Sequence, residues 1–250
     1  MRAAAWNLRE FPASAQTVAE VAGALERLLL DLVAVAEVKD AAAFAELVAA
    51  RPGWAGEVSA APSVPDGARQ ALMWRTAKVA VTAIQPLFTS EPTLFPRPPL
   101  RATVTVAGTP ARTFTIFALH LKAGIAASDE ATRVAAAARV EAEVRAFVDG
   151  PEADEVLIIG DFNEEPGDPR YAEVFAPFSA DRYRVLSAAL AASGAVTFLP
   201  ASVMLDHVVG TVALDDEVGG PAEIPALEAQ IADYSNAVSD HLPIVQPLSF

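Results

Sequence analysis

The sequence predicts an α/β protein in which two β-sheets pack face to face and helices cover their outer sides. Helix and strand patterns alternate near both ends of the chain, while short strand patterns separated by Pro-, Gly- and Asp-containing turns fill the middle. Hydrophobic residues make up 53% of the 250 residues, which is enough for one large core. We therefore expect a single domain over residues 1–250.

The first fifty residues or so show a β-α-β-α pattern. A strand is predicted over residues 3–8, and apolar residues at spacings of three and four predict an amphipathic helix over 14–32. A β-branched run predicts a second strand over 32–38, and a second helix over 41–50 is closed by the Pro52-Gly53 pair.

The middle of the chain has the pattern of antiparallel strands. We predict them at 54–60, 70–75, 78–85, 100–107 and 112–119. The last two flank the turn residues Ala107-Gly108-Thr109-Pro110 and therefore predict a hairpin. The Pro-rich residues 86–99 are predicted to form a loop.

The last hundred residues or so alternate between helix and strand with weaker signals. An Ala-rich helix is predicted over 129–148, and a buried strand over 156–159. Further helices are predicted over 168–175 and 184–192, and further strands over 204–209 and 244–248. Residues 214–233, rich in Asp, Glu, Gly and Pro, are predicted to form an acidic insertion that contains one short helix. This insertion is expected to lie near the Asp240 loop.

Composition excludes several classes of site. The net charge is −14, and such a surface repels nucleic acid outside a local basic cleft, because that binding depends on clustered Lys and Arg. The chain has no cysteine, so disulfides, zinc–thiolate sites and thiol nucleophiles are excluded. Any metal is therefore expected to have oxygen ligands.

The chain shows no export signal and no membrane span. Its first residues enter a strand pattern directly, without the apolar segment of a signal peptide, and its apolar runs are too short to cross a bilayer. We expect a monomeric cytoplasmic protein, or a secreted one if a signal peptide was removed from this chain.

A carboxylate and an amide follow the most apolar strand pattern of the chain. Asp161 and Asn163 come directly after residues 156–160, and alternation along an extended strand places both side chains on one side. There they can reach one phosphate or its attacking water. The same letters also fit an Asx turn or a helix N-cap.

The three histidines stand in short polar runs at predicted strand ends. His241 follows Asp240 before a strand, where an imidazole can act as a general base. Asp206 can orient an imidazole, as in hydrolase triads, whereas His207 points to the opposite face. His120 lies where a strand becomes a loop, and a lone histidine there is more often structural.

Two polar residues end the predicted N-terminal strands. Glu37 closes an apolar strand, and such an acid is either a metal ligand or an ordinary solvated strand end. Asn7 after Trp6 is ambiguous in the same way. The local sequence leaves both readings open.

Taken in order, these runs resemble one family. The runs Trp6-Asn7, Val35-Ala36-Glu37, His120-Leu121-Lys122-Ala123-Gly124, Gly160-Asp161-Phe162-Asn163, Leu205-Asp206-His207 and Ser239-Asp240-His241 resemble the endonuclease/exonuclease/phosphatase superfamily, with the DNase I-like fold. The resemblance extends from residue 6 to residue 243. It implies a four-layer α/β/β/α sandwich of two mixed, mainly antiparallel sheets.

The resemblance also implies a Mg²⁺-dependent phosphoesterase, with Mn²⁺ or Ca²⁺ as alternative ions. Glu37 is implied as the principal metal ligand with Asn7 beside it, and Asp240 as support for the metal region. Asp161 and Asn163 are implied to orient the water and bind the phosphate.

The implied proton-transfer groups are imidazoles. His241, held by Asp206, is implied as the base or as a phosphate-binding imidazolium. His120 is implied on the leaving-group side, with Lys122 as a further substrate-binding residue. Ala36 departs from the family pattern, which usually has Gln before the metal-binding Glu.

The resulting prediction is a metal-dependent phosphoester hydrolase, and most of all a phosphodiesterase or nuclease. Its partner is then a nucleic acid or a small phosphorylated molecule. The alternatives are a phosphomonoesterase or lipid-headgroup phosphodiesterase with a small substrate, and a non-catalytic binding domain on the same fold. A Rossmann module is disfavoured because no G-x-G-x-x-G follows the first strand.

Overall fold

The computed structural model describes residues 1–14, 17–150, 154–165, 172–179 and 181–250. Within these ranges the strands are β1 (Arg2–Phe11), β2 (Leu32–Val38), β3 (Trp54–Val58), β4 (Arg69–Arg75), β5 (Val79–Pro86), β6 (Leu100–Val106), β7 (Arg112–His120), β8 (Val156–Asp161), β9 (Tyr183–Val185), β10 (Asp206–Thr211) and β11 (Ile244–Pro247). The helices are α1 (Thr17–Leu28), α2 (Ala41–Ala49), α3 (Ala127–Val148), α4 (Ala172–Phe175), α5 (Ala188–Ala192) and α6 (Tyr234–Ala237).

The strands form two mixed sheets that are mainly antiparallel. One sheet has the order β11-β1-β2-β4-β3, and the other has the order β5-β6-β7-β8-β10-β9. Strands β1 and β2 are parallel, as are β7 and β8, and the remaining neighbours are antiparallel. The predicted sheet type is therefore confirmed, and so is the predicted hairpin, which β6 and β7 form.

Alternation along the strands separates the protein into four layers. In β1, Ala3 and Ala5 join the core between the sheets, together with residues such as Ile116 of β7. Ala4 and Trp6 face the other way and pack with residues of α1 and α2. On the outer face of the second sheet, residues of α3 pack against β7 and β8. The predicted α/β/β/α sandwich is confirmed.

Two predicted helices differ from the structure. Over 184–192, the structure has β9 followed by α5, because Tyr183 and Val185 both pack into the core and set a two-residue period there. Of the helix predicted over 168–175, residues 168–171 lie outside the described residues, and α4 covers the rest.

The predicted acidic insertion is packed more tightly than its composition suggests. Leu214 and Leu227 are fully buried, and a 3-10 turn at Val212–Glu217 is the only helical element over 214–233, all of which the structure describes. Val218 and Glu223 bridge to the edge strand β11 and its C-terminal extension. The segment therefore covers a sheet edge, and none of its residues lines the cavity that Asp240 lines.

Irregular pairing bends the ends of β1 and β2. The β1–β2 register shifts between Asn7 and Phe11, and the β2–β4 register shifts between Val35 and Val38. Within these bulges Arg9, Glu10 and Glu37 adopt φ values of 42°, 51° and 65°, which are uncommon for residues other than glycine. These bulges re-aim the side chains at the strand ends.

A glycine allows β7 and β8 to approach each other just before Asp161. Gly160 has φ = 150°, and a Cβ atom there would lie 2.0 Å from the carbonyl oxygen of Leu119. The backbone atoms of β7 cannot yield as a flexible side chain would. Only glycine therefore fits between the two parallel strands at this point.

His207 of β10 is fully buried, and its contacts hold it as a neutral imidazole. Its Nε2 faces the carbonyl oxygens of Glu164 and Met204 at 2.9 and 3.1 Å, so this nitrogen carries the proton. Burial lowers the pKa of His207 to about 4. Asp206 points away from it, as predicted from strand alternation.

No helix in the described ranges combines the length and apolarity needed to cross a bilayer.

We predict that Gly160→Ala destabilises the protein by about 3 kcal/mol or more, because it adds backbone strain and a clash with Leu119. Gly23→Ala in α1 is the matched control, since a Cβ atom there meets nothing within 4 Å. We expect this control to be neutral or stabilising, by up to about 1 kcal/mol. Urea unfolding of both variants measures the difference, and equal stabilities would contradict the packing described for Gly160.

We predict that His207 makes the protein less stable as the pH falls below 6.5. The unfolded chain then binds a proton that the buried imidazole does not accept until about pH 4, so stability is lost between these two values. The loss amounts to about 3 kcal/mol. His207→Gln keeps a hydrogen-bond donor but does not titrate. Over the same pH range, urea unfolding should show that the wild type loses about 3 kcal/mol more of its unfolding free energy than this variant. Parallel pH curves for the two proteins would refute the neutral, buried state of His207.

Candidate active site

Strand ends from both sheets meet at one cavity of about 550 Å³. The parallel pairs β1–β2 and β7–β8 each deliver their carboxyl ends to it. Strand β10 runs antiparallel to β8, so Asp206 lies opposite Asp161. Strand β11 runs antiparallel to β1, so the segment that precedes it, including His241, reaches the same edge. The topology thus gathers residues that are far apart in the sequence.

An amide and two carboxylates form the acidic centre of this cavity. Asn7 Nδ2 donates hydrogen bonds to Glu37 Oε1 and Asp161 Oδ2, each with a length of 3.1 Å. The bulged backbone of β1 adds two more bonds, from Glu10 N to Glu37 Oε2 and from Arg9 N to Asn7 Oδ1, both at 2.9 Å. The bulge therefore orients both Asn7 and Glu37.

The donor atoms at this centre suit a hard divalent cation. Asp161 is only 2% exposed, and its burial, together with the charge of Asp206, raises its pKa to about 7. A buried carboxylate beside a second one is stabilised by a nearby positive charge. Carboxylate oxygens such as those of Glu37 and Asp161 are the ligand type that Mg²⁺ and Mn²⁺ take, and the Asn7 amide orients both carboxylates.

Asp161, Asp206 and His241 form a second close grouping, with one potential ligand atom each within 4.8 Å of the others. His241 Nδ1, however, is hydrogen-bonded to Asp206 Oδ2 at 2.8 Å. This bond occupies the atoms that would bind an ion between them. We therefore interpret the grouping as a carboxylate–imidazole dyad beside the acidic centre.

The main chain of His241 is fixed from three sides. Its carbonyl oxygen accepts hydrogen bonds from Trp6 Nε1 at 3.1 Å and from Tyr234 Oη at 2.7 Å. Its amide donates to Ser239 Oγ at 3.0 Å, and that hydroxyl donates to the Asn7 carbonyl. The position of the imidazole is therefore tied to the same strand that carries Asn7.

The two imidazoles of the cavity have opposite charge preferences. Burial disfavours the charged form of His241, but the charges of Asp206, Asp161 and Asp240 outweigh it and raise its pKa to about 9. Burial and the positive charge of Arg97 keep the pKa of His120 well below its usual value.

Both histidines lie close to the Asp161 carboxylate. His120 Nε2 is 3.5 Å and His241 Nε2 is 3.9 Å from Asp161 Oδ2. At neutral pH the site thus holds a neutral and a protonated imidazole close to one carboxylate oxygen.

Asn163 reaches the cavity through a turn. Strand β8 ends at Asp161, and Asn163 adopts φ = 50°, so the extended geometry assumed from the sequence is wrong. Asp161 Oδ1 accepts a hydrogen bond from the Asn163 amide at 2.8 Å, which is the Asx-turn arrangement. Asn163 Nδ2 donates to the carbonyl of Leu121 at 3.1 Å. Asn163 therefore belongs to an Asx turn and also lines the cavity, so one reading of this sequence does not exclude the other.

Asp240 and Lys122 differ in their relation to the cavity. Asp240 lines it, and its Oδ2 lies 3.6 Å from Arg9 Nε. The Lys122 ammonium contacts Asp129 at 2.9 Å and the Ala123 carbonyl at 2.8 Å, and Lys122 is not among the described lining residues. The Lys122 side chain therefore does not line the cavity, although the resemblance implied it as a substrate-binding residue.

Several lining residues were not identified from the sequence. Arg133 and Glu164 form a buried ion pair at 2.7 Å, and the Phe198 ring lies 4.9 Å from that of His241. One signal was available: Arg133 occupies the buried stripe of α3 together with Ala136, Ala137, Val140 and Val144. An arginine at a core-facing helical position is unusual and points to a specific partner.

Comparisons with solved structures identify the same fold in enzymes with different substrates. Danio rerio TDP2 complexed with a single-strand DNA product matches with a TM-score of 0.72 at 15% identity, over 100% of this chain and 99% of that one. A Bacteroides thetaiotaomicron mannosyl-6-phosphatase matches with a TM-score of 0.70 at 16% identity, over 100% of both chains.

The catalytic domain of human Nocturnin with bound sulfate has a TM-score of 0.66 at 19% identity, over 100% of this chain and 94% of that one. At these identities the likeness shows the fold alone. A search of curated proteins finds no significant match.

A family-level comparison of the sequence is more specific. The profile of the Endonuclease/Exonuclease/phosphatase family matches residues 4–241, which includes every strand that contributes to the cavity except the last, β11. With this match, the sandwich and the grouped acids and imidazoles, we conclude that the chain belongs to the endonuclease/exonuclease/phosphatase family of phosphoester hydrolases.

Proposed function

We propose that the protein is a divalent-metal-dependent phosphoester hydrolase that uses Mg²⁺, or alternatively Mn²⁺ or Ca²⁺. One observation carries this proposal: Asn7, Glu37 and Asp161 line one cavity together with His241, whose imidazole is held by the buried Asp206. Acids that suit a hard cation and imidazoles that hold and transfer protons are the groups that phosphoester hydrolysis requires.

Glu37 and Asp161 would hold the cation, with Asn7 beside them to orient both carboxylates, and Asp240 would add negative charge nearby. A bound divalent cation supplies Lewis acidity and neutralises the charge that develops on the phosphate oxygens. Asp161 and Asn163 would orient the attacking water and bind the phosphate. The hydrogen bond from Asn163 N to Asp161 Oδ1 supports this role, since it fixes the two residues relative to each other.

The two imidazoles would act as hydrogen-bond donors to the substrate, and their protonation is already set in the substrate-free protein. Asp206 accepts from His241 Nδ1, so the remaining proton of the imidazolium is on Nε2, on the side of Asp161. His241 would donate this hydrogen bond to a phosphate oxygen. Neutral His120, whose Nε2 lies 3.5 Å from Asp161 Oδ2, would interact with the leaving group.

The charges around the cavity favour a small phosphodiester over a long nucleic acid. Its lining carries five acids: Glu37, Asp161, Glu164, Glu165 and Asp240. The lining arginines, Arg9 and Arg133, each lie within 4 Å of an acid, and so does nearby Lys39. Arg97 forms no ion pair with the described residues, but it donates to the Leu121 carbonyl and does not line this cavity. Extended nucleic acids require unpaired cations along their path.

A phosphomonoester of similar size is the second candidate substrate. The same donor set would bind a terminal phosphate, and a solved structure with this fold is a mannosyl-6-phosphatase. A lipid headgroup remains within this class of small substrates.

We predict that chelation of divalent ions abolishes activity and that added Mg²⁺ restores it.

His241→Gln and Asp206→Asn should each lower kcat about 10²- to 10⁴-fold with a small aryl phosphodiester, because each breaks the dyad. The double variant should be little worse than either single one, since the two residues act as a unit. Asp216→Asn, at an exposed position, serves as the control and should keep wild-type kcat. Chelator-insensitive turnover or additive losses would refute the proposed mechanism.

We predict that kcat/KM is higher for small phosphodiesters than for a single-stranded oligonucleotide, because the acidic lining repels a polyanion. Small aryl phosphodiesters, aryl phosphomonoesters and an oligonucleotide are compared at several salt concentrations. Activity on the oligonucleotide should rise, not fall, when salt screens the repulsion. A steep decrease of oligonucleotide hydrolysis with salt would instead indicate a basic binding path and contradict this substrate class.

A further inference from the structure

Arg133 is a buried cation in the wall of the cavity. Its side chain is 3% exposed, yet it contributes to the cavity lining from the first half of α3. A guanidinium is costly to bury unless its donors are satisfied. The partners of its nitrogens therefore indicate what this residue does.

Two of the three nitrogens of Arg133 hold the loops that follow β7 and β8. Nε donates to Glu164 Oε2 at 2.7 Å. Nη1 donates to the carbonyl oxygens of Lys122 and Gly124 at 3.0 and 2.9 Å. These contacts lock the plane of the guanidinium.

The third nitrogen, Nη2, forms no hydrogen bond with the described residues. It is also not sealed from solvent, although the side chain around it is buried. Arg133 lines the cavity, and Nη2 is the nitrogen whose N–H donors remain for a ligand there.

We propose that Arg133 binds an anionic oxygen of the substrate through Nη2. This inference rests on the proposed function, because it assumes that the ligand is a phosphoester. A guanidinium whose other donors are already bound loses little conformational entropy on binding such an oxygen. Glu164 lowers the cost of keeping the cation buried when the cavity holds no anion.

The rival account is that Arg133 only connects the two loops. The charge of Glu164 separates the two accounts. Glu164→Gln keeps an oxygen for the Nε bond and nearly the same volume, but it removes the negative charge beside the guanidinium. A binding role predicts that this variant binds the anion at least as tightly as wild type. A purely structural role predicts weaker binding, because the contact that joins the two loops loses its charge.

The test is calorimetric titration of the full-length protein with inorganic phosphate, in chelator and again with saturating Mg²⁺. In chelator, Arg133→Met should weaken phosphate binding about tenfold. Arg139→Met is the matched control on the same helix; Arg139 pairs with Glu91 and Glu143 and is not among the described lining residues, so it should stay within about twofold of wild type. Glu164→Gln should bind at least as tightly as wild type.

The proposal is overturned if wild type shows no saturable phosphate binding, if Arg133→Met binds as wild type does, or if Glu164→Gln weakens binding as much as Arg133→Met. If thermal melting shows that Arg133→Met is unfolded, Arg133→Lys decides. The lysine ammonium can pair with Glu164 but offers no second oriented donor group, so binding should still fall several-fold. Wild-type affinity in Arg133→Lys would overturn the proposal.

These measurements need no turnover. Phosphate binding through Arg133 without hydrolysis of any phosphoester would contradict the proposed function alone. Hydrolysis in which Arg133→Met leaves phosphate binding and KM unchanged would contradict this inference alone.

Discussion

The site depends on the burial of the Asp161 carboxylate at the point where the two sheets meet. Gly160 brings β8 close enough to β7 for His120 and Asp161 to pair, and the β8–β10 register places Asp206 opposite Asp161. Asn7 reaches the same carboxylate from the other sheet. A one-residue change of register in any of these strands would turn its site residue to the opposite face.

The electrostatics of the site follow from this arrangement. Burial and the charge of Asp206 disfavour the ionised form of Asp161, and the protonated His241 offsets only part of this cost. A divalent cation on the Glu37 side would offset the rest. Metal binding and the charge state of the dyad are therefore expected to be coupled.

Local signals predicted the two-sheet sandwich, because alternation of apolar residues marks the strands. The local sequence left Asn7, Glu37 and His120 ambiguous, and the order of the short polar runs, which resembles the family, indicated that they belong to one site. The contacts of Arg133 and Lys122 could not be read in this way. Arg133 contacts Glu164 across 31 positions of sequence, and Lys122 turns aside because Asp129 of α3 offers a closer partner.

Backbone geometry was the other unpredicted feature. The bulges that re-aim Arg9 and Glu37, and the turn that presents Asn163, place non-glycine residues at positive φ. An Asx turn was one of the readings that the sequence at Asn163 allowed. No local pattern predicts the two bulges, because long-range contacts such as that from Asn7 to Asp161 stabilise them. The strained positions border the cavity, where strain that is held by the surrounding fold is most often found.

The central claim is that Glu37 and Asp161 bind one divalent cation, and calorimetric titration of the substrate-free protein with Mn²⁺ and Mg²⁺ tests it most directly. The account predicts a saturable site in wild type that Glu37→Gln and Asp161→Asn each weaken about 100-fold or more, with both variants folded. Unchanged metal affinity in either variant would contradict the account.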